Sequence, residues 1–409
     1  MKYISKNFQF PSKMSDLLQC VEELPMEPVL SELSLKAFRG GNQLPIWDIA
    51  EKDFQMQKEE LVVPLLLQNW AQNDPRDLLL RLGSKQICVN RLRFMCYSKY
   101  AMEHLKGGQR ELVLPEDRVP PEGLVRTCKW MNDPVAKLER SFIMQVLATA
   151  LYLEIEPLIK QVWFCLDMVE EFSEDQAFGV SYEAHQLGNM VPMLGLDTTM
   201  LHRIQRFFLT LVASVEFVEL PLRHVRCLLS SENVAVNSEK EIFYSAVRWL
   251  THDWTARAQH TATIMETVHL MLMPREFIIE LQSPSTESAP SCIIQQNEFQ
   301  QLIYEAYSSH TLMIFNDGSK LFEQLYDIFK IEQPVPRPFI CHDLCPYHRA
   351  KPDDPEKDFT YDDFLRYLGI IQASGPSNWK TLTVQQNSRS FKVPKEESLP
   401  SSESVSLQN

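Results

Sequence analysis

The densest run of chemistry-bearing residues is "CHDLCPYH", which sets Cys341, His342, Cys345 and His348 within eight positions. Thiolates and imidazoles are the soft and borderline ligands that suit zinc. Four ligands this close along one chain cannot all reach the corners of one tetrahedron without contortion. No second pair follows at finger spacing. Two readings stay open: three of the four with a distant fourth around zinc, or a structural loop with Cys345 buried beneath Pro346 and Tyr347. The loop is the expectation, so neither a metal nor a cofactor is expected. The ten histidines and the many carboxylates are otherwise dispersed. The chain has no Gly-rich phosphate loop, no nucleophile elbow and no His-Glu-x-x-His. An enzyme is therefore not expected, although a fold by itself permits many functions.

The bulk properties narrow the partners. The chain of 409 residues suffices for two or three domains, and 44% hydrophobic with 23% charged residues fits a soluble globular protein. A formal charge of −14 argues against nucleic acid and against an anionic membrane surface, both of which call for clustered Lys and Arg. The N-terminus lacks the apolar core of a signal peptide, and no run reaches the roughly 18 apolar residues of a membrane span. Nine dispersed cysteines suit reduced thiols, hence a cytoplasmic or nuclear, intracellular setting.

Hydrophobic periodicity divides the chain. Residues 1–52 read as an N-terminal extension. Within 53–73, Leu61, Val62, Leu65, Leu66 and Trp70 form an amphipathic helical stripe starting near Pro64. "RDLLLRLGSKQICVN" (76–90) reads as two strands turning at Gly83–Ser84. "NRLRFMCYSKYAMEHLKGG" (90–108) then reads as a helix, apolar on nearly every face and stopped by Gly107–Gly108. "RELVLPED" is a further strand, followed by three helical runs to 172, which makes 53–172 an α+β unit. From 173 to 281 the pattern is almost wholly helical, with a capping box at Ser238 and Glu241. Residues 282–291 read as a linker and 292–372 as a small mixed region, in which "PVPRP" (334–338) is a rigid connector and "DPEKDFTYDDFLRYL" an acidic helix start. Residues 373–409 read as a disordered tail.

These features resemble a known arrangement. Asp77 opens the first strand of "DLLLRLG", Arg91 begins a Leu- and Tyr-bearing helix with Ser98 and Tyr100 in place, and "EPLIKQVWFCLD" resembles a last BTB helix. Asn90 stands where the family usually has His. Leu228, Leu229, Val236, Ser238, Glu239, Phe243 and Trp249 match the BACK signature. The fold class so implied is an α+β BTB/POZ domain (53–172), then an all-α BACK helical domain (173–281) and the small C-terminal region, similar to kelch-like adaptors. A kelch propeller needs Gly-rich repeats of about 50 residues. Only about 130 residues follow position 281, with few glycines and no visible repeat, so no propeller is expected.

The resemblance also implies partners. BTB domains homodimerise through the helix before the first strand, here Leu61, Val62, Leu65, Leu66 and Trp70. Asp77 and Arg91 would form a buried charged pair beside the dimer groove. Kelch-like adaptors grip a cullin scaffold of ubiquitin ligases with a hydrophobic-x-Glu element after the central helix. Here the chain passes from Leu105 through "KGGQ" straight into "RELVLP", leaving Tyr100, Met102, Glu103 and Leu105 as candidate cullin-facing residues. Glu103 falls about a turn earlier than the family's Glu. The implied function is a non-enzymatic adaptor bringing an unknown protein substrate to a cullin-RING ubiquitin ligase. The alternative is a dimeric scaffold in cytoskeletal or transcriptional complexes that does not bind the cullin.

Overall fold

Leu78, Leu80 and Leu82 alternate inward along β2 (Leu78–Leu82), which turns at Gly83 (φ +53°) into β3 (Lys85–Val89). The hairpin thus forms where the sequence placed it, and β4 (Glu111–Leu114) runs parallel to β2 to give the order β3-β2-β4. The computed structural model describes residues 30–38, 53–57, 75–133, 135–169, 172–188, 196–282, 291–314, 334–375 and 377–385. The stripe carrying Leu61, Val62, Leu65, Leu66 and Trp70 lies outside the described residues. Residues 53–57, at the start of the stretch read as carrying an amphipathic helix, form strand β1 (Asp53–Gln57) instead. β1 pairs antiparallel with β5 (Val135–Glu139), a strand that periodicity did not reveal.

Between the strands lie α1 (Arg91–Tyr97), α2 (Lys99–His104) and α3 (Pro121–Asn132), and α4 (Ile143–Tyr152) and α5 (Glu156–Asp167) follow β5. Prolines open α3 and α5, where their missing N–H is not needed. Trp130 of α3 donates its indole N–H to Gln161 of α5 at 2.9 Å and meets Tyr97 edge-on, so its polar end is satisfied inside the core. Gly123 lets α3 approach α4: a Cβ there would lie 2.2 Å from the Gln145 carbonyl oxygen.

Helix α6 (Glu174–Leu187) serves two cores at once. Ala177 and Val180 pack with the strands and α1–α5, whereas Phe178 packs with the helices that follow. Within the almost wholly helical stretch, 196–220 is broken into α7 (Leu196–Leu201), α8 (Phe208–Val212) and α9 (Val215–Glu219). The breaks have causes. The buried Glu174 carboxylate accepts the backbone N–H groups of Gln205 and Phe207, each at 2.8 Å, and fixes the start of α8. Ser214, with extended φ/ψ, separates α8 from α9. Then come α10 (Leu222–Ser230), α11 (Glu239–His252), α12 (Trp254–Arg257), α13 (Thr261–Met265) and α14 (Arg275–Gln282).

Among the described residues beyond 282, the buried apolar side chains join the core of the preceding helices. Helices α15 (Ser291–Ile294), α16 (Asn297–Ile314) and α17 (Tyr361–Ala373) contribute Phe299, Ile303, Phe364 and Leu368 to the core of α8–α14. Residues 30–38, part of the supposed extension, join the same core: Leu35 and Phe38 are buried, and the Leu35 N–H donates to Glu216. Order continues past residue 372, because Trp379 is buried against Phe207 and Arg206. No helix among the described residues is long and apolar enough to cross a membrane.

The seam between α11 and residues 334–385 is polar. Ser238 caps α11 by accepting the Lys240 N–H, and Glu241 reaches back to the Asn237 N–H at 2.7 Å, one residue further than a capping box predicts. Glu241 is fully buried, and its other oxygen accepts from Tyr347 Oη (3.0 Å) and His348 Nε2 (2.9 Å). Its neighbours are charged and buried too. Arg337 pairs with Glu239 at 3.1 Å and donates to the carbonyls of Ser231, Leu229 and Thr267, closing the C-terminal end of α10 and the turn after α13. Lys240 Nζ donates to Asp358 and to the Phe359 carbonyl, lying over the rings of Phe277 and Phe359. The Asn237 side chain accepts the Arg349 N–H and donates to the carbonyls of Ile340 and Arg349. The aromatic layer around Glu241 pushes the phenols of Tyr347 and Tyr367 well up, mainly by burial and then by the nearby carboxylate.

Two substitutions test this packing. Glu241→Ala leaves three buried donors without an acceptor and is expected to cost about 3–5 kcal/mol. Chemical denaturation reads that loss directly; a change within about 1 kcal/mol would contradict the role given to Glu241. Gly123→Ala drives a methyl group into the backbone of α4 and is expected to destabilise by about 1–3 kcal/mol, read as a lowered Tm.

Candidate interaction site

The segment read as the central helix is two short helices. Asn90, buried, caps α1 by accepting the Arg93 N–H at 2.9 Å. Ser98 then takes extended φ/ψ, ends α1, accepts the Ala101 N–H to start α2, and donates to the Leu153 carbonyl. The pair is not buried all round, as Leu92 and Met102 are 51% and 56% exposed. Phe94, Tyr97, Ala101 and Leu105 form the buried face.

The expected buried ion pair is corrected. Asp77 is exposed, and its carboxylate accepts the backbone N–H of Arg91 at 2.9 Å, a negative charge at a helix start. The Arg91 guanidinium turns away to the Leu105 carbonyl at 2.6 Å, the C-terminal end of α2. Asp77 and Arg91 therefore hold the two ends of the helix pair, one charge at each, instead of facing each other.

The four candidate cullin-facing residues separate. Met102 and Glu103 are exposed. Tyr100 is half-buried, bonded to Tyr152 Oη at 3.1 Å and stacked on His104 at 3.9 Å. Leu105 is buried in the core and offers no surface, so it is corrected to a packing residue. The stop is a 3-10 turn (Lys106–Gly108) in which Gly107 and Gly108 hold φ of +74° and +84°. Side chains rarely adopt this left-handed region, so two glycines permit the tight passage into β4. The sequence contained the signal for the stop but not for the break at Ser98.

The Cys/His cluster is occupied by protein partners. His348 Nδ1 accepts the backbone N–H of His342 (3.0 Å), so Nε2 carries the proton given to Glu241. The Asn378 amide donates to His342 Nε2 (3.0 Å), leaving Nδ1–H for Tyr367 Oη (3.0 Å). Neither imidazole has a lone pair left for zinc. Burial pushes the Cys345 thiol well up and raises that of Cys341. Among the described residues no group of three or more His, Cys, Asp or Glu is placed to hold a metal ion.

Comparison with known proteins adds independent findings. The family model for BTB And C-terminal Kelch, the BACK domain, matches residues 183–283, and a domain of unknown function (DUF4734) matches 292–382. Kelch-like protein 26 of Mus musculus is 24% identical over 249 residues, 59% of this chain and 38% of that protein. Kelch-like protein 17 of Homo sapiens is 32% identical over 112 residues, 27% of this chain and 17% of that protein. Kelch-like protein 2 of Rattus norvegicus is 34% identical over 76 residues, 19% of this chain and 13% of that protein. The chain thus spans well under half the length of the curated relatives it matches. With the α8–α14 helices and the matched Leu228, Leu229, Phe243 and Trp249 buried among them, these findings make the chain a BACK-containing relative of the kelch-like proteins.

Proposed function

We propose that the protein is a non-enzymatic adaptor: a BTB-like unit at 53–172 homodimerises, and the chain brings a protein target to a cullin-RING ubiquitin ligase. The observation that supports it best is the order of parts. A three-stranded sheet with five helices directly precedes the stretch matched by the BACK family model, and α6 packs into both cores. Such a joint suits an arm that holds two binding ends at a fixed separation, raising the effective concentration of one partner near the other. Leu61, Val62, Leu65, Leu66 and Trp70 are the dimer surface of this reading, an isologous two-fold contact. Met102 and Glu103 are the exposed cullin-facing residues, with Tyr100 at their edge. The target contact falls to 292–372, where Tyr304, Val335 and Leu344 are exposed apolar side chains.

A second reading has its own support. The left-handed Gly107–Gly108 turn leaves no further helical half-turn between Leu105 and β4, where the resemblance expects a Glu-bearing element. A dimeric scaffold that does not bind the cullin fits that geometry.

The two readings part in co-purification of the full chain with a BTB-binding cullin. The adaptor reading expects a complex that Met102→Asp abolishes. Absence of a complex, with binding gained once the longer Glu-containing segment is inserted after Leu105, selects the scaffold. Both readings require a dimer. Light scattering should give twice the chain mass for the wild type and a single mass for Leu65→Asp; a monomeric wild type would sink both.

A further inference from the structure

A half-buried thiol in the helical core is built unlike the other described cysteines. Cys227 of α10 lines an open cavity of about 440 Å3 together with Thr198, His202, Arg223, Arg226 and Ser230. Its Sγ lies 3.7 Å from His202 Nε2 and 3.7 Å from the Thr198 carbonyl oxygen. The thiol donates to the Thr198 carbonyl, and with Nε2 unprotonated the His202 imidazole is the group that can carry the proton away. The Asn233 side chain holds the backbone at that point by donating to the His202 carbonyl at 3.1 Å. No carboxylate is among the residues lining the cavity, whereas two guanidinium groups are. A neighbouring base and cationic surroundings are what make a cysteine reactive, because the thiolate is the nucleophile.

Most of the other described thiols are buried, or have their thiol raised by burial. Burial pushes Cys128 and Cys165 up to about 12, and both are buried in the sheet-bearing core. Cys96 is exposed, yet partial burial of its thiol raises it, and Cys341 is raised by burial and by Asp343. Cys88 is exposed on β3.

We propose that Cys227 is a covalent modification site for small electrophiles that carry a carboxylate, such as α,β-unsaturated acids, with His202 as the base and Arg226 as the anion-attracting group. In the addition, His202 Nε2 takes the thiol proton and Sγ forms a bond to the β-carbon. The carbon–carbon π pair moves onto the carbonyl as an enolate, and the imidazolium returns its proton to the α-carbon. Nothing is oxidised or reduced and no group leaves. The adduct occupies the cavity between α7 and α10, two helices in direct contact.

Alkylation of the full chain with iodoacetate and with iodoacetamide, read by peptide mass spectrometry, tests this, with Cys88 and Cys96 as references in the same molecule. With either reagent the thiolate attacks the methylene carbon, iodide leaves, and His202 takes the proton. Cys227 is expected to react with iodoacetate at least about fivefold faster than Cys88. Arg226→Ala should lower that rate about threefold and the iodoacetamide rate clearly less, because the lost charge acts on the anionic reagent as well as on the thiolate. His202→Gln should slow both reagents at Cys227 and neither at Cys88. Absence of labelling at buried Cys128 reports that each variant is folded, and the wild-type rates decide the matter if one is not. A Cys227 rate at or below that of Cys88, or an Arg226→Ala effect equal for both reagents, would overturn the proposal.

Discussion

A carboxylate with no access to water sets the terms for the C-terminal half of this protein. Glu241 sits in the first turn of α11, where the helix dipole favours negative charge, and it satisfies one orphan N–H of the chain entering that helix. Burying an ion is costly unless every lone pair finds a donor. Two of those donors, Tyr347 and His348, come from more than a hundred residues away in sequence. Helix α11 and residues 334–385 therefore depend on each other: without the later segment, Glu241 would lose those partners, and without Glu241 the later segment would bury unpaired polar groups.

Around that point the charges repeat the same logic. Arg337 answers Glu239 and closes three carbonyl ends, Lys240 reaches Asp358 and Phe359, and Arg349 answers Asn237 and Glu356. Each contact is directional, so the seam fixes the register of the C-terminal segment where an apolar patch would permit sliding. The described residues of the stretch matched as DUF4734 pack over the helices of the BACK match, with side chains such as Tyr304 and Leu344 exposed.

The legible features were those with local causes. Gly83 marked the hairpin turn and Gly107–Gly108 the stop, and prolines stand in the first turns of α3 and α5. Thr360 and Asp363 form a complete capping box at the acidic start expected for α17. What escaped had distant causes. Strand β5 exists because β1 pairs with it, some eighty residues earlier. The break at Ser98 is held by the Leu153 carbonyl, and the break before α8 by Glu174. For Asp77 and Arg91, types and spacing do not say that a backbone N–H and a carbonyl would be their partners. In the same way "CHDLCPYH" showed ligand chemistry, and only the fold revealed that Glu241, Tyr367 and Asn378 already occupy its imidazoles.

If the buried seam makes α11 and the C-terminal segment one cooperative unit, they must open together. Native-state hydrogen exchange of the full chain is the direct measurement, comparing backbone amides of Glu239–His252 with those of Tyr361–Ala373. The account predicts the same opening free energy for the most protected amides of both helices, with the same denaturant dependence. Exchange of Tyr361–Ala373 at a clearly lower free energy, while Glu239–His252 stays protected, would contradict it.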